Sequence, residues 1–375
     1  MSTSGTVRAR EETVRDMTVT VYTVPTDRQP EADGTLQWSQ TTLVVAEPVA
    51  DGVTGLGWSY ATPACTTLID GVLRDVVIGS SALDVPGTWA AMVRQCRNLG
   101  RPGVVSMAIA AVDIALWDLK AKLVQLPLCR LLGQVSPRVP VYGSGGFTSY
   151  DDAQLTEQLS GWVHDQDIPR VKIKIGQSWG HDPMRDLARI KTARRIIGPD
   201  AELFVDANGG YTPGQAVRMA HAMAEQDVTW FEEPVSSDDL SALALIRRQI
   251  APDVAAGEYG YDLHYFQRMC ASQAVDCLQA DLTRCAGVTE WLRAAAVAAA
   301  HGLQISAHCA PNLHAHPAAS VPNLRHLEYF HDHVRIENDL FDGALDPTGG
   351  TLQPDQGRPG LGLTLRRERA QRYQQ

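Results

Sequence analysis

Asp206, Glu232 and Glu258 stand at equal intervals of 26 residues. Each closes a short run rich in strand formers: Leu203-Phe204-Val205-Asp206, Val228-Thr229-Trp230-Phe231-Glu232 and Val254-Ala255-Ala256-Gly257-Glu258. About 26 residues is the length of one strand-plus-helix unit, so successive strand ends would carry successive carboxylates to one rim of a parallel barrel. Three converging carboxylates, with no histidine or cysteine among them, suit a hard divalent cation held through oxygen, Mg²⁺ rather than Zn²⁺.

Other residues extend the series in both directions. Lys172 and Lys174 lie in Val171-Lys172-Ile173-Lys174-Ile175, and alternate strand residues share a face, so both ammonium groups point the same way. A cationic neighbour lowers a lysine pKa and makes a neutral amine available as a base. Asp281 and His308 close two later strands, and a carboxylate beside an imidazole fixes its tautomer for acid/base work. Glu328 ends the last strand and is placed to bond a substrate oxygen. Three other features read as structural. His314-Ala315-His316 reads as loop residues rather than a metal pair, and Cys309 faces away from His308 if the strand alternates there. Residues 143–146 (Gly-Ser-Gly-Gly) read as a flexible rim loop, having no P-loop Lys-Ser/Thr.

The elements that must position these groups fall into three stretches. Residues 13–60 are β-rich, with strands around Thr18–Tyr22 and Thr41–Val45, and 62–132 are helical, clearest over 106–124. Residues 24–36, between the first two strands, form a polar loop carrying Asp27, Arg28, Glu31 and Asp33. From Val139 strand and helix alternate, with strand ends near Tyr142, Lys174, Asp206, Glu232, Glu258, Asp281, His308 and Glu328, and helices over 182–197 and 289–300. The fold expected is therefore α/β. Residues 1–135 form an α+β domain, 136–330 a (β/α)₇₋₈ TIM-type barrel, and 331–375 a segment that packs back on the first domain.

Composition bounds the function. A chain of 375 residues with 44% hydrophobic and 20% charged residues is ordinary for a globular protein. Its net charge of −10 argues against nucleic acid or an anionic membrane as partner. Seven scattered cysteines without a CxxC pair point to a reducing cytoplasm. No apolar run is long enough to span a bilayer.

Taken together these residues resemble the enolase superfamily, and within it the mandelate racemase subgroup, over roughly residues 15–365. Lys172-Ile173-Lys174 resembles the subgroup's KxK, and Asp206, Glu232 and Glu258 its metal ligands. Asp281 with His308 resembles its dyad, Glu328 its intermediate-stabilising glutamate, and residues 113–120 (Asp-Ile-Ala-Leu-Trp-Asp-Leu-Lys) the helix of its capping domain. Gly287-Val288-Thr289 also fits. The resemblance implies one Mg²⁺ per active site and removal of the proton α to a carboxylate, giving an enediolate. With polar groups on the loop over the site, it implies dehydration of an acid sugar to a 2-keto-3-deoxy acid. Asn208, Asp27, Arg28 and Tyr142 are the expected substrate contacts. Racemisation or epimerisation of a 2-hydroxy acid on the same residues is the nearest alternative. A catalytically lapsed sugar-acid-binding regulator is the alternative of another class. Cycloisomerising relatives usually use paired lysines without an Asp–His dyad, which sets that activity lower. The relatives also imply a homo-oligomer, dimer or octamer.

Overall fold

Alternating apolar residues in the first β-rich stretch make a sheet with one wet and one dry face. In the computed structural model, which describes residues 12–27 and 30–375, Asp16–Pro25 pairs antiparallel with Gln40–Ala50 along its whole length. Gly57–Tyr60 and Val53–Thr54 also pair with Gln40–Ala50. The dry face lies on the helix Val104–Leu123, which is buried nearly all round and so acts as the core of this domain. The segment between the long strands is not one open loop: Glu31–Ala32 and Gln37–Trp38 pair as a small hairpin within it.

Eight parallel strands close the barrel: Val139–Gly145, Arg170–Lys174, Glu202–Asp206, Val228–Glu232, Asp253–Ala256, Cys277–Ala280, Gln304–Ala307 and Leu324–Phe330, the last pairing with the first. The interior is packed, not hollow. Tyr142, Phe204, Trp230, Ala255 and Cys277 form a buried layer within it. Gly143 and Gly145, expected in a rim loop, instead lie in the first barrel strand. There the close approach of Trp162 excludes a side chain, since a Cβ on Gly143 would sit 2.5 Å from the indole.

Two buried carboxylates on the helix Val104–Leu123 join the parts. Asp113 accepts from the Thr289 amide at 3.0 Å and hydroxyl at 2.7 Å, which caps the barrel helix Val288–Ala300. Gly287, at φ 98°, leaves room for it, because a Cβ there would lie 2.3 Å from the carboxylate. Asp118 accepts from the amides of Leu56 and Leu361 and is paired with Lys122 at 2.6 Å. The C-terminal residues return to the first sheet, where Gln374 bridges Tyr22 and Arg367 pairs with Glu47. No helix among the described residues is long and apolar enough to cross a membrane.

His314 and His316, expected on a loop, lie on the helix Pro311–Ala318 and are fully buried. Each ring ties down backbone rather than metal. His316 Nδ1 accepts from the Cys129 amide at 3.1 Å, and Nε2 faces the Leu361 carbonyl at 3.1 Å. His314 Nε2 accepts from the Leu282 amide at 3.0 Å. Burial holds the pKa of His316 down at about 4. The unfolded chain, with its histidine near 6.5, then takes up a proton that the folded ring refuses. Stability is therefore full above about pH 6.5 and falls until about pH 4, by about 3 kcal/mol from this ring. Urea unfolding of His316→Gln should show lower stability at pH 7.5 but a shallower decline towards pH 4.5. An unchanged slope would contradict the assignment.

Candidate active site

The polar series gathers where the barrel strands end. Lys172 and Lys174 on the second strand point inward on one face, as alternation requires, and both are buried. Lys172 Nζ lies 2.5 Å from Glu232 Oε1, 2.8 Å from Glu328 Oε1 and 3.8 Å from Asp206 Oδ2. Lys174 Nζ lies 2.5 Å from Asp206 Oδ2. Asp206 and Glu232 are the last residues of their strands, while Glu258 follows the end of its strand by two. The ligating oxygens of these three carboxylates lie within 4.8 Å of one another. Asp206 Oδ1 is held by the Asn208 amide, Glu232 Oε2 by the Trp230 indole and Glu258 Oε1 by Arg284. Glu258 Oε2 is buried without a hydrogen-bond partner. An all-oxygen donor set with a buried oxygen to spare fits a divalent cation of the Mg²⁺ kind.

Charge sets the protonation states. Burial alone would lower Lys174 and raise Asp206, but each is outweighed by the other, so Lys174 moves up and Asp206 down. The expected downward shift of Lys174 from its neighbour Lys172 is thus reversed, because the attraction of Asp206 outweighs the repulsion of the second ammonium. Burial pushes Glu232 up to about 8 even with Lys172 against it.

His308 follows the seventh strand and Asp281 the sixth, and His308 Nδ1 lies 2.8 Å from Asp281 Oδ2. The other Asp281 oxygen accepts from the amide and hydroxyl of Thr283. That leaves His308 Nε2 facing Glu258 Oε2 at 3.4 Å and Glu328 Oε2 at 3.6 Å. Burial opposes protonation of the ring, but Glu258, Glu328 and Asp281 overcome it and raise its pKa. Glu328 Oε1 is further bonded by Ser144 at 2.5 Å.

Lys174, Glu258, His308 and Glu328 open into one cavity of about 360 Å³ between the barrel and the first domain. The structure corrects several expected contacts. Of the three proposed substrate contacts among the described residues only Asn208 lines this cavity. Tyr142 is fully buried one layer down, its hydroxyl 3.5 Å from Lys172 Nζ. Its strand runs on to Gly145, and it is Ser144, two residues further along, whose hydroxyl bonds the Glu328 side chain. Asp27 pairs with His331 at 3.2 Å outside the cavity lining. Arg28 lies outside the described residues. The polar loop also turns its carboxylates inward on itself: Glu31 accepts from the Trp38 indole, and Asp33 from the amides of Thr35 and Leu36. What that hairpin presents to the cavity is Asp33 together with Leu36 and Trp38.

The polar wall comes instead from residues that sequence reasoning passed over. Gln40, Thr41 and Thr42 begin a long strand of the first domain, and their role is invisible without knowing where that strand docks. Arg284, 2.9 Å from Glu258, had a readable signal, lying three residues after Asp281 at a strand end. Cys309 also faces the cavity, contrary to the alternation argument. The strand stops at Ala307, and Cys309 and Ala310 have φ of 52° and 41°, so the period of two no longer holds.

Comparison with known proteins agrees with this arrangement. Residues 16–133 match the family model of the mandelate racemase/muconate lactonizing enzyme N-terminal domain, and residues 154–370 that of the enolase C-terminal domain-like family. A mandelate racemase/muconate lactonizing enzyme-like protein from Rubrobacter xylanophilus is 48% identical, with TM-score 0.93 over 97% of this chain and 100% of that one. A 3,6-anhydro-α-L-galactonate cycloisomerase from Streptomyces coelicolor is 32% identical over 85% of this chain and 88% of its own. The L-talarate/galactarate dehydratase of Salmonella typhimurium is 30% identical over 90% of this chain and 83% of its own. The structure of that dehydratase liganded with Mg and L-lyxarohydroxamate superposes with TM-score 0.89, covering 100% of this chain and 96% of that one at 26% identity. With both halves matched and the barrel rim carrying the expected groups, this chain belongs to the mandelate racemase/muconate lactonizing enzyme family of the enolase superfamily.

Proposed function

We propose that this chain is a Mg²⁺-dependent enzyme that removes the proton α to a carboxylate and dehydrates an acid sugar to a 2-keto-3-deoxy acid. The observation that carries this reading is that Lys174 and His308 face one cavity together with Glu258 and Glu328. Asp206, Glu232 and Glu258 would hold the cation, which when bound polarises the substrate carboxylate and acidifies its α-proton. With Asp206 engaged as a ligand, the charge that keeps Lys174 protonated is partly neutralised, and its amine can take the α-proton. Lys172 and Glu328 flank the enediolate. His308, its tautomer set by Asp281, gives a proton to the β-hydroxyl, which leaves as water, and the enol that remains becomes the 2-keto acid.

A polyhydroxylated substrate is supported by Gln40 and Asn208 in the lining, the latter with a buried Oδ1 free of hydrogen-bond partners. It is supported too by the similarity to an L-talarate/galactarate dehydratase. The similarity to a cycloisomerase at 32% identity makes ring opening of a cyclic sugar acid the second reading, placing it higher than the dyad alone did. Racemisation on the same residues differs only in the fate of the enediolate. The reading includes a cytoplasmic setting, supported by seven buried free cysteines. It also includes self-association as a dimer or octamer, to be measured by sedimentation. Incubation of a stereochemically complete acid-sugar library with the enzyme and Mg²⁺, followed by NMR, should reveal one or a few substrates giving a 2-keto-3-deoxy acid. Racemisation of an apolar 2-hydroxy acid with no keto acid from any sugar would refute it.

A further inference from the structure

His308, Cys309 and Glu328 place three donor atoms of different kinds around one point of the cavity wall. Cys309 Sγ lies 3.3 Å from His308 Nε2 and 3.4 Å from Glu328 Oε2, and those two lie 3.6 Å apart. A tetrahedral Zn²⁺ with bonds of about 2.0–2.3 Å sets neighbouring donors about 3.3–3.6 Å apart. We propose that His308, Cys309 and Glu328 form a second metal site, adjoining the carboxylate triad at Glu258 but sharing none of its residues, that takes a thiophilic divalent cation such as Zn²⁺ and thereby switches the enzyme off.

Each donor is already held for the task. His308 hydrogen-bonds Asp281 through Nδ1, so Nε2 is the donor that the neutral ring offers a cation, the arrangement that carboxylate-backed histidines bring to zinc. Glu328 spends Oε1 on Lys172 and Ser144, while Oε2, which accepts from the Cys309 amide at 3.0 Å, lies on the side of the thiol with a further lone pair to offer. The left-handed backbone at Cys309 turns Sγ to that side, and a non-glycine residue held at φ 52° is a strained conformation of the sort found at functional positions. Three protein donors leave the fourth position to water or substrate. Binding forms a Zn–S bond while the thiol proton departs to solvent. The triad offers only oxygen, which suits Mg²⁺, whereas a thiolate and an imidazole favour Zn²⁺, so the two ions sort between the sites. The switching follows from the proposed function, because coordination occupies the Nε2 that must carry the proton. Metal binding itself does not depend on that reading.

The test uses the full chain saturated with Mg²⁺ and compares it with Cys309→Ser and Cys309→Ala, each rate taken relative to its own rate without Zn²⁺. Wild type should bind one further equivalent of Zn²⁺ by equilibrium dialysis and lose activity as that site fills. Both variants should need at least about tenfold more Zn²⁺. Co²⁺ should give wild type, and neither variant, a thiolate-to-cobalt charge-transfer band in the near ultraviolet. Equal Zn²⁺ sensitivity in all three proteins, or no thiolate band, would overturn the site and place the inhibiting ion at the triad. A thiolate band without inhibition would overturn the switch and, with it, the role of His308 in proton transfer.

Discussion

Lys174→Ala and His308→Ala should each lower turnover by about 10²–10⁴-fold, the usual worth of a positioned proton-transfer group. The two groups meet the cavity from different strands, Lys174 beside Asp206 and His308 between Asp281, Glu258 and Glu328. Each is held by its own partners, so neither can readily stand in for the other. The losses should also be far from additive in the double variant, because two residues serving one sequence fail together. Exchange in D₂O separates the roles. The variant lacking the abstracting base should lose incorporation of deuterium at the α-carbon. The variant lacking only the acid should keep exchange and fail to release water. Lys174→Ala leaves Asp206 within 3.8 Å of Lys172, so a cooperative melt is expected to survive the change. If both folded variants keep more than about a tenth of wild-type turnover, the proton-transfer assignments are wrong. Unchanged biological activity in both would favour a protein that binds a sugar acid without converting it.

The depth of this site was legible in the sequence, and its walls were not. A barrel strand must end at its loop, so polar residues that close apolar runs declare themselves, and Lys172, Lys174, Asp206, Glu232, Glu258, Asp281, His308 and Glu328 all reach one end of the barrel. Tyr142 failed because its strand continues to Gly145, a boundary the pattern alone does not mark. Cys309 failed because the strand period was extended two residues past Ala307, into left-handed backbone. The hairpin over the cavity failed for a different reason. Its composition is polar, but of its carboxylates Asp33 lines the cavity while Glu31 is buried against Trp38, and a count of charges cannot say which way a carboxylate faces. Gln40, Thr41 and Thr42 are set against the barrel by the docking of two domains, a long-range fact no local pattern carries. The cavity wall is thus written in contacts distant in sequence, while the charged cluster at its floor is written at strand ends.

Removing divalent cations with a chelator should abolish turnover, and Mg²⁺ should restore it. The same experiment should register in stability. Asp206, Glu232 and Glu258 bring three carboxylate oxygens within 4.8 Å of one another, and Lys172 and Lys174 make close ammonium contacts with Asp206 and Glu232. At Glu258, Arg284 serves Oε1, and Oε2 faces His308 Nε2 at 3.4 Å but is buried without a hydrogen-bond partner. A cation that binds the folded state alone adds about 2.7 kcal/mol at a concentration 100 times its Kd, so the melting temperature should climb with Mg²⁺. Glu258→Gln removes one ligand charge and keeps the shape, so it should flatten that climb and cost activity even at high Mg²⁺. A Mg²⁺-dependent shift that survives Glu258→Gln, Glu232→Gln and Asp206→Asn alike would mean the ion binds elsewhere. A shift lost in all three with a fold still cooperative ties the cation to these carboxylates. It does so without appeal to catalysis, which keeps the metal assignment independent of whichever sugar acid the cavity takes.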